Sequence, residues 1–122
     1  MTNEEKQLLL KDLCARLSYG VKILDIPANV VGDLFLVSTT DIVEYEPTDE
    51  ANDDNGRQTL YNIKPYLRQM SSMTEEEKDE YDRLVMCNAS WVVDDWLLAH
   101  RFDFRRLIKK GLALEAPEGM YV

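Results

Sequence analysis

The chain has 122 residues, enough for one domain around one hydrophobic core. Its 45% apolar and 30% charged residues are typical of a folded globular protein and exclude a chain disordered throughout. A net charge of −9 argues against general affinity for nucleic acid or anionic lipid. No apolar run approaches the ~20 residues of a membrane span, and the acidic start is unlike a secretory signal. We therefore expect a cytoplasmic protein in which Cys14 and Cys87 are free, packed thiols.

The N-terminus predicts a helix. Thr2 and Glu5 have the spacing of a capping box, in which each side chain accepts a hydrogen bond from the other residue's backbone. Leucines at helical spacing then predict one buried stripe, formed by Leu9, Leu10, Leu13 and Leu17. Asp12 and Arg16 are expected on the other faces. Gly20 is expected to end the helix.

Short segments rich in β-branched residues follow and predict about four strands. They cover residues 21–26, 30–37, 39–45 and 58–63. Residues 46–57 read as an exposed acidic loop, and Pro65 is expected to prevent the last strand from being a central one. Because the connections are short, we expect the strands to be antiparallel.

The last third of the chain, about 74–111, is predicted to be mainly helical. Thr74 and Glu77 form a second capping box, and the chain can break and begin a new helix near Asn88. Asp103 is expected to cap a short helix over 104–110 that Gly111 ends, and 112–114 predict a short strand. The sequence thus predicts a single α+β domain, 1–122: an N-terminal helix, a small antiparallel sheet, bent or barrel-like, and C-terminal helices packed on it.

Positive charge is concentrated near the C-terminus, in a segment with a charge of +4 that leaves −13 for the rest of the chain. This candidate basic patch consists of Arg101, Arg105, Arg106, Lys109 and Lys110. With Phe102 nearby, it suits contacts to phosphates and stacking on bases. The structural alternative is that Phe102, Leu107 and Ile108 fill the core while the cations stay solvated.

Aromatic residues and methionines suggest a second surface. Trp91 and Trp96 are five residues apart, so one is expected in the core and the other as an exposed anchor for a partner. The candidate interaction surface, for a protein partner or a homodimer, comprises Trp91, Trp96, Tyr66, Met70 and Met73.

No pattern indicates catalysis, a cofactor or a metal, so an enzyme is disfavoured. The chain has no glycine-rich phosphate loop, nucleophile elbow or recognisable Cys/His spacing. His100 lies near acids in sequence but reads as an ordinary histidine at a helix end. The acids Asp49, Glu50, Asp53 and Asp54 lack the closing glutamate of a calcium loop.

Several segments together resemble a family of small proteins from phages and mobile elements of Bacteroides and its relatives. They are 13–21 (LCARLSYGV), 64–77 (KPYLRQMSSMTEEE), 100–105 (HRFDFR) and 111–117 (GLALEAP). The resemblance implies an origin but no activity. Members of that family tend to have Gly at the position of Arg106 and Glu at that of Lys109, which implies that a shared function does not depend on these two cations.

From these features we expect a non-enzymatic interaction protein that acts on a host or element-encoded protein. One alternative is a nucleic-acid-associated protein that uses residues 100–110. The other is an acidic DNA mimic that presents the carboxylates of residues 41–54 and 75–82.

Overall fold

A computed structural model describes residues 1–49, 54–87 and 90–121. The helices are α1 (Asn3–Arg16), α2 (Glu75–Met86) and α3 (Ser90–Ala99). The strands are β1 (Lys22–Asp25), β2 (Val30–Val37), β3 (Ile42–Pro47), β4 (Gly56–Thr59), β5 (Ile63–Leu67) and β6 (Leu114–Glu115). The predicted break at Asn88 and part of the acidic loop, with Glu50 and Asp53, lie outside the described residues.

Both predicted capping boxes are formed. The Thr2 hydroxyl accepts from the Glu5 N–H at 3.1 Å, and the Glu5 carboxylate accepts from the Thr2 N–H at 3.0 Å. Thr74 and Glu77 repeat this exchange at 3.1 and 3.0 Å. Two backbone donors at each helix start are thereby satisfied, which is why the sequence located the beginnings of α1 and α2 closely.

The six strands form an open sheet in the order β4-β3-β2-β1-β5-β6. The pairings among β1 to β5 are antiparallel, whereas β5 and β6 are parallel. The parallel pair is possible because the chain between them passes through α2 and α3, which supply the long crossover. The predicted α+β class is confirmed, and the sheet does not close into a barrel.

The predicted strand over 58–63 is wrong as a single element. The chain leaves β4, makes a 3-10 turn over Leu60–Asn62 and enters β5 beside β1. The turn is fixed by Leu60, whose side chain is fully buried.

The expectation for Pro65 is also wrong, because β5 lies between β1 and β6. Ile26 donates to the Asn62 carbonyl, so alternation along the antiparallel ladder turns the nitrogen of Pro65 away from β1. On its other side β6 pairs only with Tyr66 and Leu67. The missing N–H of Pro65 therefore costs the sheet no hydrogen bond.

The core lies between one face of the sheet and α1, and the segment 107–113 completes it. Leu9 and Leu13 of α1 are fully buried, whereas Leu10 and Leu17 of the predicted stripe are half-buried at its margin. Residues from the sheet face are Val21, Ile23, Leu34, Val43, Tyr45, Leu60, Ile63 and Leu67. Leu107, Leu112 and Ala113 cover the rest.

The inner face of the sheet also carries a buried polar pair. The Tyr45 hydroxyl donates to the Asp25 carboxylate at 2.7 Å, and burial together with this hydrogen bond raises the pKa of Tyr45 to about 12. The ring crosses the sheet because Gly32 and Gly56 have no side chain: a Cβ there would come within 2.2 and 2.1 Å of ring atoms. The two glycines therefore fix where this tyrosine lies.

The predicted helix over 104–110 is wrong. The described chain from His100 to Leu112 is a series of turns, and Arg106 has a left-handed φ of 60°, which an α-helix does not accommodate. Asp103 does cap this segment, since its carboxylate accepts from the Leu107 and Ile108 N–H groups at 2.8 and 2.9 Å. The helical part of the C-terminal third accordingly ends at Ala99.

Tyr121 joins the chain's end to the sheet. Its hydroxyl accepts from the Lys22 N–H at 2.8 Å and donates to the Tyr66 carbonyl at 2.7 Å, where β1 and β5 separate. Burial raises the pKa of Tyr121 to about 12. One side chain thus satisfies two backbone groups of neighbouring strands.

Two further sequence predictions can be compared with the structure. Cys14 and Cys87 are exposed, not packed as expected. None of the helices in the described ranges is long and apolar enough to cross a bilayer.

Candidate functional site

Asp12 and Arg16 were expected on faces of α1 other than its buried leucine stripe, but both are fully buried, so more than that stripe is covered. They are one helical turn apart, and Arg16 donates to the Asp12 carboxylate through Nε at 2.7 Å and Nη2 at 3.1 Å. Arg16 Nη2 also donates to the Phe102 carbonyl at 2.8 Å. The pair joins α1 to the C-terminal segment. An isolated buried ion would be strongly unfavourable, which explains this bidentate geometry.

Arg105 completes this buried cluster. Its Nη1 contacts the Asp12 carboxylate, and its guanidinium lies 4.4 Å from the centre of the Phe104 ring. Two guanidinium groups therefore share one carboxylate, and Arg16 Nη1 has no hydrogen-bond partner among the residues that the structure describes. Arg105, one cation of the predicted basic patch, thus forms an ion pair with a buried carboxylate of the protein itself.

Arg101 is likewise held by the protein itself. Its guanidinium donates to the carbonyls of Gly20 at 3.1 Å and Ala99 at 2.9 Å, and also to that of Tyr19. It lies 5.2 Å from the centre of the Tyr121 ring. Arg101 ties the loop after α1 to the end of α3, so this second cation serves the fold.

The remaining cations of the basic patch are solvent-exposed. Arg106 and Lys109 line a shallow concavity of about 470 Å3 together with Gln69 and Met70. Within the described ranges, neither they nor Lys110 forms an ion pair. The predicted patch is therefore divided between structural arginines and a small exposed group of cations.

Trp96, near the end of α3, lies in an aromatic cluster between α2 and α3. Its ring centre is 4.3 Å from that of His100 and 5.8 Å from those of Tyr81 and Phe102. The indole is half-buried, and its buried Nε1 has no hydrogen-bond partner within the described part of the chain. Its packing makes Trp96 a structural residue.

A polar triad borders this cluster. Arg68 of the segment after β5 donates to both Glu77 oxygens, at 2.9 and 2.7 Å, and His100 Nδ1 lies 3.3 Å from Glu77. The Arg68 hydrogen bond is the main reason that the pKa of Glu77 falls to about 2. The sequence indicated Glu77 only as a capping residue and associated His100 with other acids. The partners meet because β5, α2 and the turn after α3 converge here.

Other members of the predicted interaction surface lie apart from Trp96. Tyr66 is half-buried on β5, Met70 lines the concavity beside Arg106, and Met73 is half-buried before α2. The five residues are therefore distributed over several sites.

The two most exposed large apolar side chains of the described residues, Met86 and Trp91, lie where α2 ends and α3 begins, and Val85 lies beside Met86 in α2. Met86 is 84% exposed, Trp91 70% and Val85 47%. We call these three residues the α2–α3 tip. The sequence pattern placed Val85 on one face of the predicted helix with Tyr81 and Leu84, and it did not single out Met86.

A polar cleft of about 610 Å3 adjoins the triad. Its walls include Arg68, Glu77, Glu115 and Glu118. The described residues contain no group of three His, Cys, Asp or Glu side chains suited to holding a metal ion.

No family model, curated protein or solved structure matches this chain.

Proposed function

We propose that the protein is a protein-binding module that engages its partner through the α2–α3 tip. The observation that carries this proposal is the 70% exposure of Trp91 at the start of α3, together with the 84% exposure of Met86 at the end of α2. Tryptophan is among the residues that contribute most to binding when a partner buries it. The resemblance to proteins of phages and mobile elements suggests a host or element-encoded partner.

Charges around the tip indicate the chemistry of the partner. Asp82 precedes Val85 by one helical turn, while Asp94 and Asp95 follow Trp91 by one turn, and all three acids are exposed. Arg83 is the one nearby base. The tip therefore suits an apolar pocket with a basic rim, and association should be faster at low ionic strength.

The test uses a tagged full-length chain to capture partners from host cell extract. Trp91→Ala is the informative variant, and Tyr61→Ala is its matched control because Tyr61 is also an exposed aromatic, at 49%. We expect Trp91→Ala to weaken the affinity for one particular partner by about 30-fold, which corresponds to a contribution of roughly 2 kcal/mol to binding. Tyr61→Ala should keep it. Equal capture by both variants would contradict the proposal.

A second readout follows the tip directly. Trp91 is exposed and Trp96 is packed, so binding of the purified partner should shift Trp91 emission to shorter wavelength. The shift should vanish in Trp91→Phe and persist in Trp96→Phe. The opposite pattern would locate the contact elsewhere.

The nucleic-acid alternative is weaker because Arg101 and Arg105 hold the protein's own groups. It is tested with labelled DNA and RNA over a salt series. Binding with a steep salt dependence, reduced in Arg106→Ala/Lys109→Ala, would favour it over the tip. The DNA-mimic alternative predicts that charge reversal at Asp82 and Asp79 abolishes capture while Trp91→Ala leaves it intact.

A further inference from the structure

Arg106 combines a strained backbone conformation with an exposed side chain. Four described residues other than glycine have a left-handed φ, between 54° and 66°: Asn29, Asp41, Arg101 and Arg106. Asparagine and aspartate tolerate this conformation well, and Arg101 is held there by hydrogen bonds to three backbone carbonyls. The Arg106 side chain makes no hydrogen bond, ion pair or ring contact with the described part of the chain. Such strain is typical of functional positions.

The turn that contains Arg106 is fixed by Asp103. The Asp103 carboxylate accepts from the Leu107 and Ile108 N–H groups at 2.8 and 2.9 Å, which leaves Arg106 little conformational freedom. Glycine would adopt the left-handed φ of 60° with less strain, yet the chain has arginine here. Lys109, three residues later, is exposed and lines the same concavity of about 470 Å3. We call this concavity, with Arg106 and Lys109 on its wall, the basic concavity.

The acids beside the basic concavity are already bound to other groups. Asp103 also lines it but is 7% exposed, and both of its oxygens accept backbone hydrogen bonds. Glu115 accepts from the Gln69 amide at 3.1 Å and lines the polar cleft that shares Gln69 with the basic concavity. Within the described ranges, neither Arg106 nor Lys109 lies within ion-pair distance of a carboxylate. Two unpaired cations on one concave surface favour an anionic ligand, even though the net charge of the chain is −9.

The same surface offers apolar contacts. Met70 and Ile108 line the basic concavity and are half-buried, so part of each side chain stays accessible. Ile108 packs against the core, whereas Met70, in the 3-10 turn after β5, has an unbranched thioether that adapts to different shapes. The volume lies within the range of small-molecule sites, roughly 300–1,000 Å3.

We propose that the basic concavity binds a small organic carboxylate with an apolar tail. The headgroup lies against Arg106 and Lys109, because a guanidinium group and an ammonium group both donate to carboxylate oxygens. The tail lies against Met70 and Ile108. The basic concavity shares no residue with the α2–α3 tip, so failure of one proposal leaves the other standing.

The test is a titration of the isotope-labelled full-length chain with sodium octanoate, followed by two-dimensional NMR. We expect the amide signals of Met70 and of residues 106–109 to shift and saturate. The dissociation constant should be roughly 1–10 mM, because exposed ion pairs contribute little. Acetate, which lacks the tail, should bind about tenfold more weakly than octanoate. Octylamine, which has the opposite charge, should not compete with octanoate.

Arg106→Ala and Lys109→Ala should each weaken octanoate binding by about threefold, and the double variant by about tenfold. Lys110→Ala is the matched control, because Lys110 is the next exposed lysine but is not among the residues that line the basic concavity. It should leave the dissociation constant unchanged. The proposal would be overturned by shifts that do not saturate, that octylamine or acetate reproduces at the same concentration, or that survive in the double variant.

A thermal unfolding experiment tests the backbone strain separately. Arg106→Gly and Arg106→Ala remove the same charge, but glycine alone adopts the left-handed φ without strain. We expect Arg106→Gly to unfold about 3–6 °C above Arg106→Ala, while the two variants lose octanoate binding equally. Equal unfolding temperatures, or octanoate binding retained in Arg106→Gly, would show that Arg106 is not a strained ligand-binding residue.

Discussion

Replacing Asp12 by Asn tests whether the buried cluster of Asp12, Arg16 and Arg105 holds α1 to the C-terminal segment. The substitution keeps the volume and one acceptor oxygen but removes the negative charge that Arg16 and Arg105 share. Arg16 is fully buried, and its Nη1 already has no hydrogen-bond partner among the described residues. Asp12 is the acid with which Arg16 forms an ion pair in that part of the chain, so its replacement leaves a buried charge without this counterion.

The expected cost follows from that burial. Removing one partner of a buried ion pair typically costs about 3–5 kcal/mol, whereas replacing the pair by apolar residues is often nearly neutral. A chain of this length has a free energy of unfolding of about 6–18 kcal/mol. We expect Asp12→Asn to lose about 3–5 kcal/mol and Asp12→Asn/Arg16→Met to lose less than the single variant.

Urea unfolding followed by tryptophan fluorescence and far-UV circular dichroism measures both quantities. Asp94→Asn, an exposed helical aspartate, is the matched control and should change stability by less than about 0.5 kcal/mol. The reasoning would be refuted if Asp12→Asn lowered the free energy of unfolding by less than about 1 kcal/mol. It would also be refuted if the loss in the double variant equalled the sum of the losses in the two single variants. If Asp12→Asn does not fold, the double variant still should.

Two other predictions concern stability. Because the pKa of Glu77 is lowered to about 2, its ionised form stabilises the fold above pH ~4.5, and this contribution is lost as the pH falls towards 2. Glu77→Gln should therefore cost on the order of 2 kcal/mol at pH 6 and little at pH 2 in urea titrations, whereas Glu76→Gln should show no such trend. Tyr121→Phe leaves a backbone donor on β1 and an acceptor on β5 unpaired, which should cost about 1–3 kcal/mol and speed amide exchange at the end of β1. Tyr61→Phe, at an exposed position, should do neither, and equal effects of the two substitutions would contradict the role of the bridging hydroxyl.

Local signals located most of the elements. Both capping boxes depend on residues three apart, so Thr2 and Thr74 could be recognised without knowing what α1 and α2 pack against. Strand pairing depends on distant residues. For that reason the 3-10 turn at Leu60 and the interior position of Pro65 were not evident from residues 58–65 alone.

The candidate site was less accessible from sequence. A charged residue on a helix is usually solvated, and nothing within α1 indicates that Asp12 and Arg16 meet Arg105, 93 residues later. The same holds for Glu77, whose cap role is local but whose contacts with Arg68 and His100 are not. The basic patch looked continuous because adjacent residues share a charge. The turns after Ala99 send these side chains in different directions.

The sequence by itself determined the α+β class, the starts of α1 and α2 and the negative net charge. It also indicated that one of the two tryptophans is packed and the other exposed. Those features follow from periodicity, caps and composition, which act over a few residues. Tertiary structure decided which charges became internal, which tryptophan stayed exposed and which face of the sheet carries the core. Each of these depends on contacts between segments far apart in the chain, where burial reverses the behaviour expected of an isolated side chain.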